Sequence, residues 1–298
     1  MKVRRLFLFA LLLIVLALVG GVVLISRWFA VSIMHPARLP LTALPSDAGI
    51  GAWQDITLTT ADGVTLAGWY IAPSAAAAPG VILVHGNGGN RTSMLRRAAF
   101  YAERGYGILL FDLRAHGASG GSLTTLGYVE RADVIAAFDF MQRQPAVNPD
   151  SIILHGESMG GAAVIRAAAL LPEARAVIVE STFSTLEENI ANGVRHATGL
   201  PPFPFAPLIL FFCEQEAGAR MHDLRPVDEI GAVAPRPLLI MHGELDALIA
   251  VDNAHALYAA AGEPKTLVIF PSAGHSGLYA ADPVTWESHV TALLEQAR

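Results

Sequence analysis

Charge is scarce in this chain, and cysteine is almost absent. Only 15% of the 298 residues are charged, against roughly 25% in ordinary globular domains. The lone Cys213 excludes an intramolecular disulfide and any thiolate-based metal cluster. A disulfide-free chain fits any redox compartment. Basic excess is missing too. Twenty Lys and Arg face 26 Asp and Glu, for a net charge of -6 and a pI near 5.9. Without a basic stripe to neutralise phosphates, nucleic acid is not an expected partner. What is abundant is apolar: 53% of residues are hydrophobic, which excludes a disordered chain.

The mean hydropathy of +0.46 owes much to the N-terminus. From Leu6 to Ile25 every residue is apolar or glycine, with Lys2, Arg4 and Arg5 before the run and Arg27 after it. Twenty residues at about 1.5 Å each span about 30 Å, the hydrocarbon thickness of a bilayer. Residues 1–30 are therefore expected to form an uncleaved signal-anchor helix. The run exceeds the apolar region of a secretory signal, and no convincing small-x-small cleavage site follows it. A cleaved signal and a secreted product is the alternative. The N-terminal cations favour a cytoplasmic N-terminus and an extracytoplasmic domain, periplasmic in a bacterium. Arg27 and Arg38 on the far flank pull against that orientation.

Residues 31–51, punctuated by Pro36, Pro40 and Pro45, read as a linker or short stalk. Residues 52–298 are expected to hold the folded domain. Alternation over Trp53–Thr60 and Val64–Ala72, joined at Asp62-Gly63, predicts an antiparallel hairpin. Buried runs follow at Val81–Val84, Gly107–Phe111, Ile152–Leu154, Ala176–Val179, Pro237–Met241 and Thr266–Phe270. Helical patterns lie between most of them, at Ser93–Glu103, Leu126–Met141, Met159–Leu171 and Asn253–Ala261. The alternation predicts an α/β domain with a mostly parallel eight-stranded sheet, covered by helices on both faces. A long stretch, about 185–232, is too large for one crossover and is expected to form a lid or cap. Its Phe203–Phe212 region is apolar enough to line an acyl pocket or touch a bilayer.

Three strands end in His-Gly, at 85–86, 155–156 and 242–243, where ligands of open parallel sheets bind. The second runs into Gly156-Glu-Ser158-Met-Gly160 and a helical segment, the strand–turn–helix setting of a nucleophile elbow. A second Gly-x-Ser-x-Gly at Gly117–Gly121 follows a polar turn instead, so Ser119 reads as a loop residue and Ser158 as the nucleophile. A serine hydroxyl needs a base, and the base needs a carboxylate. His275, in a Gly-flanked loop after the last strand, supplies the base, and Asp246, after the preceding one, supplies the acid. Glu180 is the fallback acid, and Asp252 reads as a helix N-cap. Backbone N–H groups of Met159 and of Asn87, in the Gly86–Gly89 loop, are the expected oxyanion donors. That loop lacks the spacing of a nucleotide-phosphate cradle. Cys213, among phenylalanines, reads as buried.

His85-Gly-Asn-Gly-Gly-Asn90, Phe111–Ser119, Gly156–Gly161, His242–Asp246 and Gly274-His275 together resemble the α/β-hydrolases, and within them the BEM46/ABHD13-type serine hydrolases, many anchored by an N-terminal helix. The resemblance implies the same triad of Ser158, Asp246 and His275. Two departures bear on pocket shape. Members often carry Tyr or Phe where this chain has His116, and many carry Val-Pro after the acid where this chain has Ile249-Ala250-Val251.

The expected activity is cofactor-free and metal-free hydrolysis of a carboxylic ester, thioester or amide through an acyl-enzyme. The expected partners are a small acyl substrate, with a lipid-like one among the candidates, and the membrane. A peptidase or acyltransferase on the same fold is the nearest alternative. A non-catalytic binding module is the more distant one, since such modules usually lose a triad residue.

Overall fold

In the computed structural model, which describes residues 2–297, sheet and helices follow from where the apolar runs lie. Strands β1 (Gln54–Thr59) and β2 (Thr65–Ile71) pair antiparallel, with Thr59 opposite Thr65. Thr60 and Asp62 close the turn by a 2.5 Å hydrogen bond from the Thr60 hydroxyl. The six later strands are β3 (Ala78–Val84), β4 (Gly107–Phe111), β5 (Val147–Glu157), β6 (Ala176–Glu180), β7 (Leu238–Gly243) and β8 (Lys265–Phe270). The sheet runs β1-β2-β4-β3-β5-β6-β7-β8. It is antiparallel through β2/β4 and parallel from β4 onward.

Both faces are buried because alternate residues of each central strand feed different cores. Ile82, Val84, Leu154 and Val179 face one cluster, shared with α3 (Arg131–Gln142) and α4 (Met159–Ala168). Val81, Leu83, Ile153 and Ile178 face the other, with α2 (Leu95–Ala102) and the C-terminal α10 (Pro283–Gln296). Sheets covered on both faces require near-continuous apolar strands, which explains the unbroken runs in the sequence.

The remaining helices are α1 (Lys2–Met34), α5 (Leu186–Thr198), α6 (Phe205–Ala217), α7 (Pro226–Glu229), α8 (Asp252–Ala260) and α9 (Leu278–Ala281). Helices α5 to α7 occupy the stretch expected as a lid, between β6 and β7. α1 is long and apolar enough to cross a membrane. It runs past residue 30 to Met34, and Ser26, Ala30 and Met34 are buried in the domain.

The segment expected as a stalk does not stand free. Arg38 donates to the carbonyls of Gly117, Ser119 and Gly121. Asn90 Nδ2 donates to the Leu39 and Pro40 carbonyls, each at 3.1 Å. Between α1 and a short 3-10 turn at Pro45–Ala48 the backbone is in no helix or strand, so its Leu39 and Pro40 carbonyls are free to pin the segment to the domain.

Candidate active site

Ser158 sits between β5 and α4 with φ 55° and ψ −123°, a backbone conformation that strains a non-glycine residue. Tight glycine packing makes the turn possible. A side chain on Gly156 would run into the Gly160 backbone, and a Cβ on Gly160 would lie 2.5 Å from the carbonyl oxygens of Val84 and His85. The turn is held from the next strand by the Ser158 N–H, which donates to Glu180 O at 2.8 Å.

The structure brings the three residues singled out for chemistry into one relay. His275 Nε2 lies 3.0 Å from Ser158 Oγ, and His275 Nδ1 lies 2.8 Å from Asp246 Oδ2. Asp246 is on the loop after β7 and His275 on the loop after β8. The two loops are laced together by the Leu245 N–H, which donates to Ala273 O at 3.0 Å. Asp246 is buried, while the His275 side chain is 22% exposed and opens to the cavity.

Asp246 Oδ1 accepts from the Leu248 and Ile249 N–H groups at 3.0 and 2.8 Å. His242 adds a contact that sequence reasoning missed: its Nε2 lies 3.3 Å from Asp246 Oδ2 and 2.8 Å from Ile249 O. Burial pushes the Asp246 carboxyl up, but hydrogen bonds from His242, His275 and Ile249 outweigh it and hold the group well below the usual carboxylate range. A signal for His242 was present: it ends a buried strand four residues before the acid.

Asn87 and Met159 both line the cavity beside Ser158. Met159 opens α4, so its N–H belongs to the helix turn that lacks intrahelical acceptors. Among the described residues, no backbone acceptor outside regular elements takes the Asn87 N–H. His116 buttresses the Asn87 loop: its Nε2 accepts from the Gly88 N–H at 3.0 Å and faces Asn87 Oδ1 at 3.0 Å.

The other candidates are engaged elsewhere. Ser119 Oγ donates to Asp112 O at 2.5 Å and accepts from the Ala67 N–H at 2.9 Å, tying the loop to β2. Glu180, the fallback acid, faces Arg97 Nε and His155 Nε2, each at 2.7 Å, and Trp286 Nε1 at 3.1 Å. Asp252 is the first residue of α8 rather than its cap, a position held by Val251. Cys213 is buried, and burial with Glu214 and Glu216 nearby pushes its thiol up to about 12.

The cavity over Ser158 has a volume of about 450 Å³, within the usual range for small-molecule sites. α5 contributes Asn189, Ile190, Val194 and His196, and α6 contributes Ile209. Of the Phe203–Phe212 region only Ile209 reaches the cavity; Phe203 and Phe211 are exposed. Phe29 and Ile33 of α1 also line it. Nothing in a one-dimensional apolar run marks which of its residues will face a pocket.

This sheet order, with its strand–turn–helix serine, defines an α/β-hydrolase. The chain belongs to the alpha/beta hydrolase family, whose model matches residues 81–285. Within that family it is BEM46-like. It is 26% identical to the protein bem46 of Schizosaccharomyces pombe, over 75% of this chain and 71% of that one. It is 31% identical to the uncharacterized protein YfhR of Salmonella typhi, over 76% of this chain and 77% of that protein. Among solved structures, the Pyrococcus furiosus esterase Pf2001 superposes with a TM-score of 0.74 and 25% identity, covering 89% of this chain and 98% of that one. A hydrolase of esterase-like type is what these likenesses support.

Proposed function

We propose that the protein is a membrane-anchored serine hydrolase that cleaves carboxylic esters through an acyl-enzyme. The observation that carries this reading is the relay Ser158–His275–Asp246, with both contacts at hydrogen-bond distance. Ser158 Oγ attacks the acyl carbon while His275 Nε2 takes its proton. Asp246 holds the Nδ1–H tautomer of His275 and steadies the imidazolium. The Asn87 and Met159 N–H groups meet the oxyanion, each such donor contributing about 3 kcal/mol at the transition state. His275 then returns the proton to the leaving alkoxide. Water, deprotonated by His275, attacks the acyl-enzyme and frees the acid and Ser158.

α1 is proposed to remain as the anchor, with the N-terminus cytoplasmic and the hydrolase domain across the membrane. Both arginines that argue against this orientation face the domain: Arg27 lies 4.0 Å from Glu216 and over Phe212, and Arg38 binds loop carbonyls.

Labelling with a fluorophosphonate, alongside hydrolysis of p-nitrophenyl esters, tests the catalytic reading. Wild type and Ser119→Ala should label and turn over, and Ser158→Ala should do neither. A folded wild type that is inert in both assays, or a Ser158→Ala variant that still labels, would sink the proposal.

A further inference from the structure

The membrane helix does not stop at the domain surface. The carbonyls of its last turn lack intrahelical partners, and the hydrolase domain supplies two of them. Asn87 Nδ2 donates to Ile33 O at 3.2 Å, and the Thr124 N–H donates to Met34 O at 2.8 Å. Asn87 is the same residue whose backbone N–H is assigned to the oxyanion. One turn earlier, Phe29 faces the cavity together with Ile33, beside Ile190, Val194 and Ile209.

The level at which the domain meets α1 matters as much as the contact. The apolar run extends to Ile25, yet α1 is exposed on every side through Val19 and partly covered from Gly20, with Leu24, Ile25 and Trp28 still exposed. α6 is the element that packs most extensively against it. Six residues of overlap correspond to about 9 Å of helix rise. α6 meets α1 at that end of the run: Glu216 and Phe212 lie against Arg27, and Glu216 is also 3.6 Å from His35 Nε2. Exposed aromatic side chains accompany this contact: Phe211 on α6, Phe203 just before it, and Trp28 on α1. Among the described residues the lining contains no Arg or Lys, and its one carboxylate, Glu157, lies 3.4 Å from Arg97. Such a site offers no permanent cation to a phosphate.

Resting on the hydrolase reading above, we propose that Phe29 and Ile33 make α1 a wall of the acyl site, which takes a single acyl chain of an uncharged ester directly from the bilayer. The membrane segment is then a specificity element, and these two side chains set how long a chain fits.

The test uses the full chain in phosphatidylcholine vesicles. Ile33→Trp and Phe29→Trp should each lower the ratio of p-nitrophenyl decanoate to p-nitrophenyl acetate turnover by at least about tenfold, since a few methylenes of lost pocket are worth that much. Phe29→Ala and Ile33→Ala, which add room, should move the ratio towards longer chains and serve where a Trp variant does not fold. Leu13→Trp, on the lipid-facing part of α1, should leave it unchanged. In the same vesicles 1-oleoylglycerol should be cleaved at least about tenfold faster than oleoyl-lysophosphatidate, whose charge would be buried unpaired. An unchanged chain-length ratio in all four pocket variants, or faster cleavage of the anionic lipid, overturns the inference. If wild-type labelling and acetate turnover persist in that case, only this inference falls; if wild type does not label at all, the hydrolase reading falls with it.

Discussion

Asp246 has both oxygens engaged, one by the imidazole of His275 and the other by two backbone N–H groups, with His242 closing on the first. Such a carboxylate is fixed in orientation as well as in charge. Asp246→Asn keeps the shape but favours the wrong His275 tautomer, so kcat should fall by about 10³–10⁴ with little change in KM. Steady-state hydrolysis of a short p-nitrophenyl ester measures this. At this scale the sequence was most legible where geometry constrains residue type. Ser158 stands out because only glycine tolerates its surroundings at Gly156 and Gly160. Phe29 and Ile33 were not legible, and Ile209 only as one member of the apolar Phe203–Phe212 region, because an apolar residue facing a pocket is chemically identical to one facing a core. Ser119 shows the reverse: the same short motif, without a strand before it, ends as a hydroxyl bridging two backbone segments.

Among the elements, β6 ends in a charge that is fully enclosed. Glu180 is clamped by Arg97 from α2, His155 from β5 and Trp286 from α10. Burial pushes its carboxyl up, and Arg97 and His155 overcome that and hold it well below the usual range. Removing the cation leaves a buried charge without its partner. Arg97→Ala should therefore destabilise the fold by about 3–5 kcal/mol, read as a large drop in Tm with Ser158 labelling retained at low temperature. Element positions were legible from apolar periodicity, but some boundaries were not. The pattern from Leu126 predicts helix, yet α3 begins at Arg131. The Glu130 carboxylate accepts from Thr125 N, Gly127 N and the Thr124 and Thr125 hydroxyls, holding Leu126 and Gly127 in positive-φ turns. Similarly β5 extends back to Val147 through the polar Asn148–Ser151, which no hydrophobic count would include.

For the whole molecule, acid is the expected weakness. His85, His116 and His155 are enclosed, and burial lowers all three, His85 to about 3. His85 is bonded as the neutral ring, Nδ1 donating to Gly86 O at 2.7 Å and Nε2 accepting from the Leu113 N–H at 3.0 Å. Below pH about 6.5 the unfolded chain takes up protons that the folded one refuses. Stability is therefore present above that pH and declines below it, by about 1.4 kcal/mol per pH unit for each imidazole still neutral in the fold. Thermal melts of the detergent-solubilised protein from pH 8 to pH 5 should show Tm falling only in the acid half. The sheet and its order were legible at this scale, whereas the union of α1 with the domain was not. Prolines and absent periodicity read as a stalk, while the bonds that pin Arg38, Leu39 and Pro40 join residues distant in sequence.

That pinning has a kinetic consequence. A tethered domain on a loose stalk would sweep a volume and meet substrate as a dissolved enzyme does. Here three guanidinium contacts and the two amide bonds of Asn90 remove that freedom and keep the mouth of the cavity at one height along α1. On the anchored reading proposed above, encounter becomes a two-dimensional search. With lipid substrate, rate should follow its mole fraction in the membrane rather than its concentration in the flask, and diluting the vesicles with buffer should leave turnover unchanged while diluting the substrate with inert lipid should slow it.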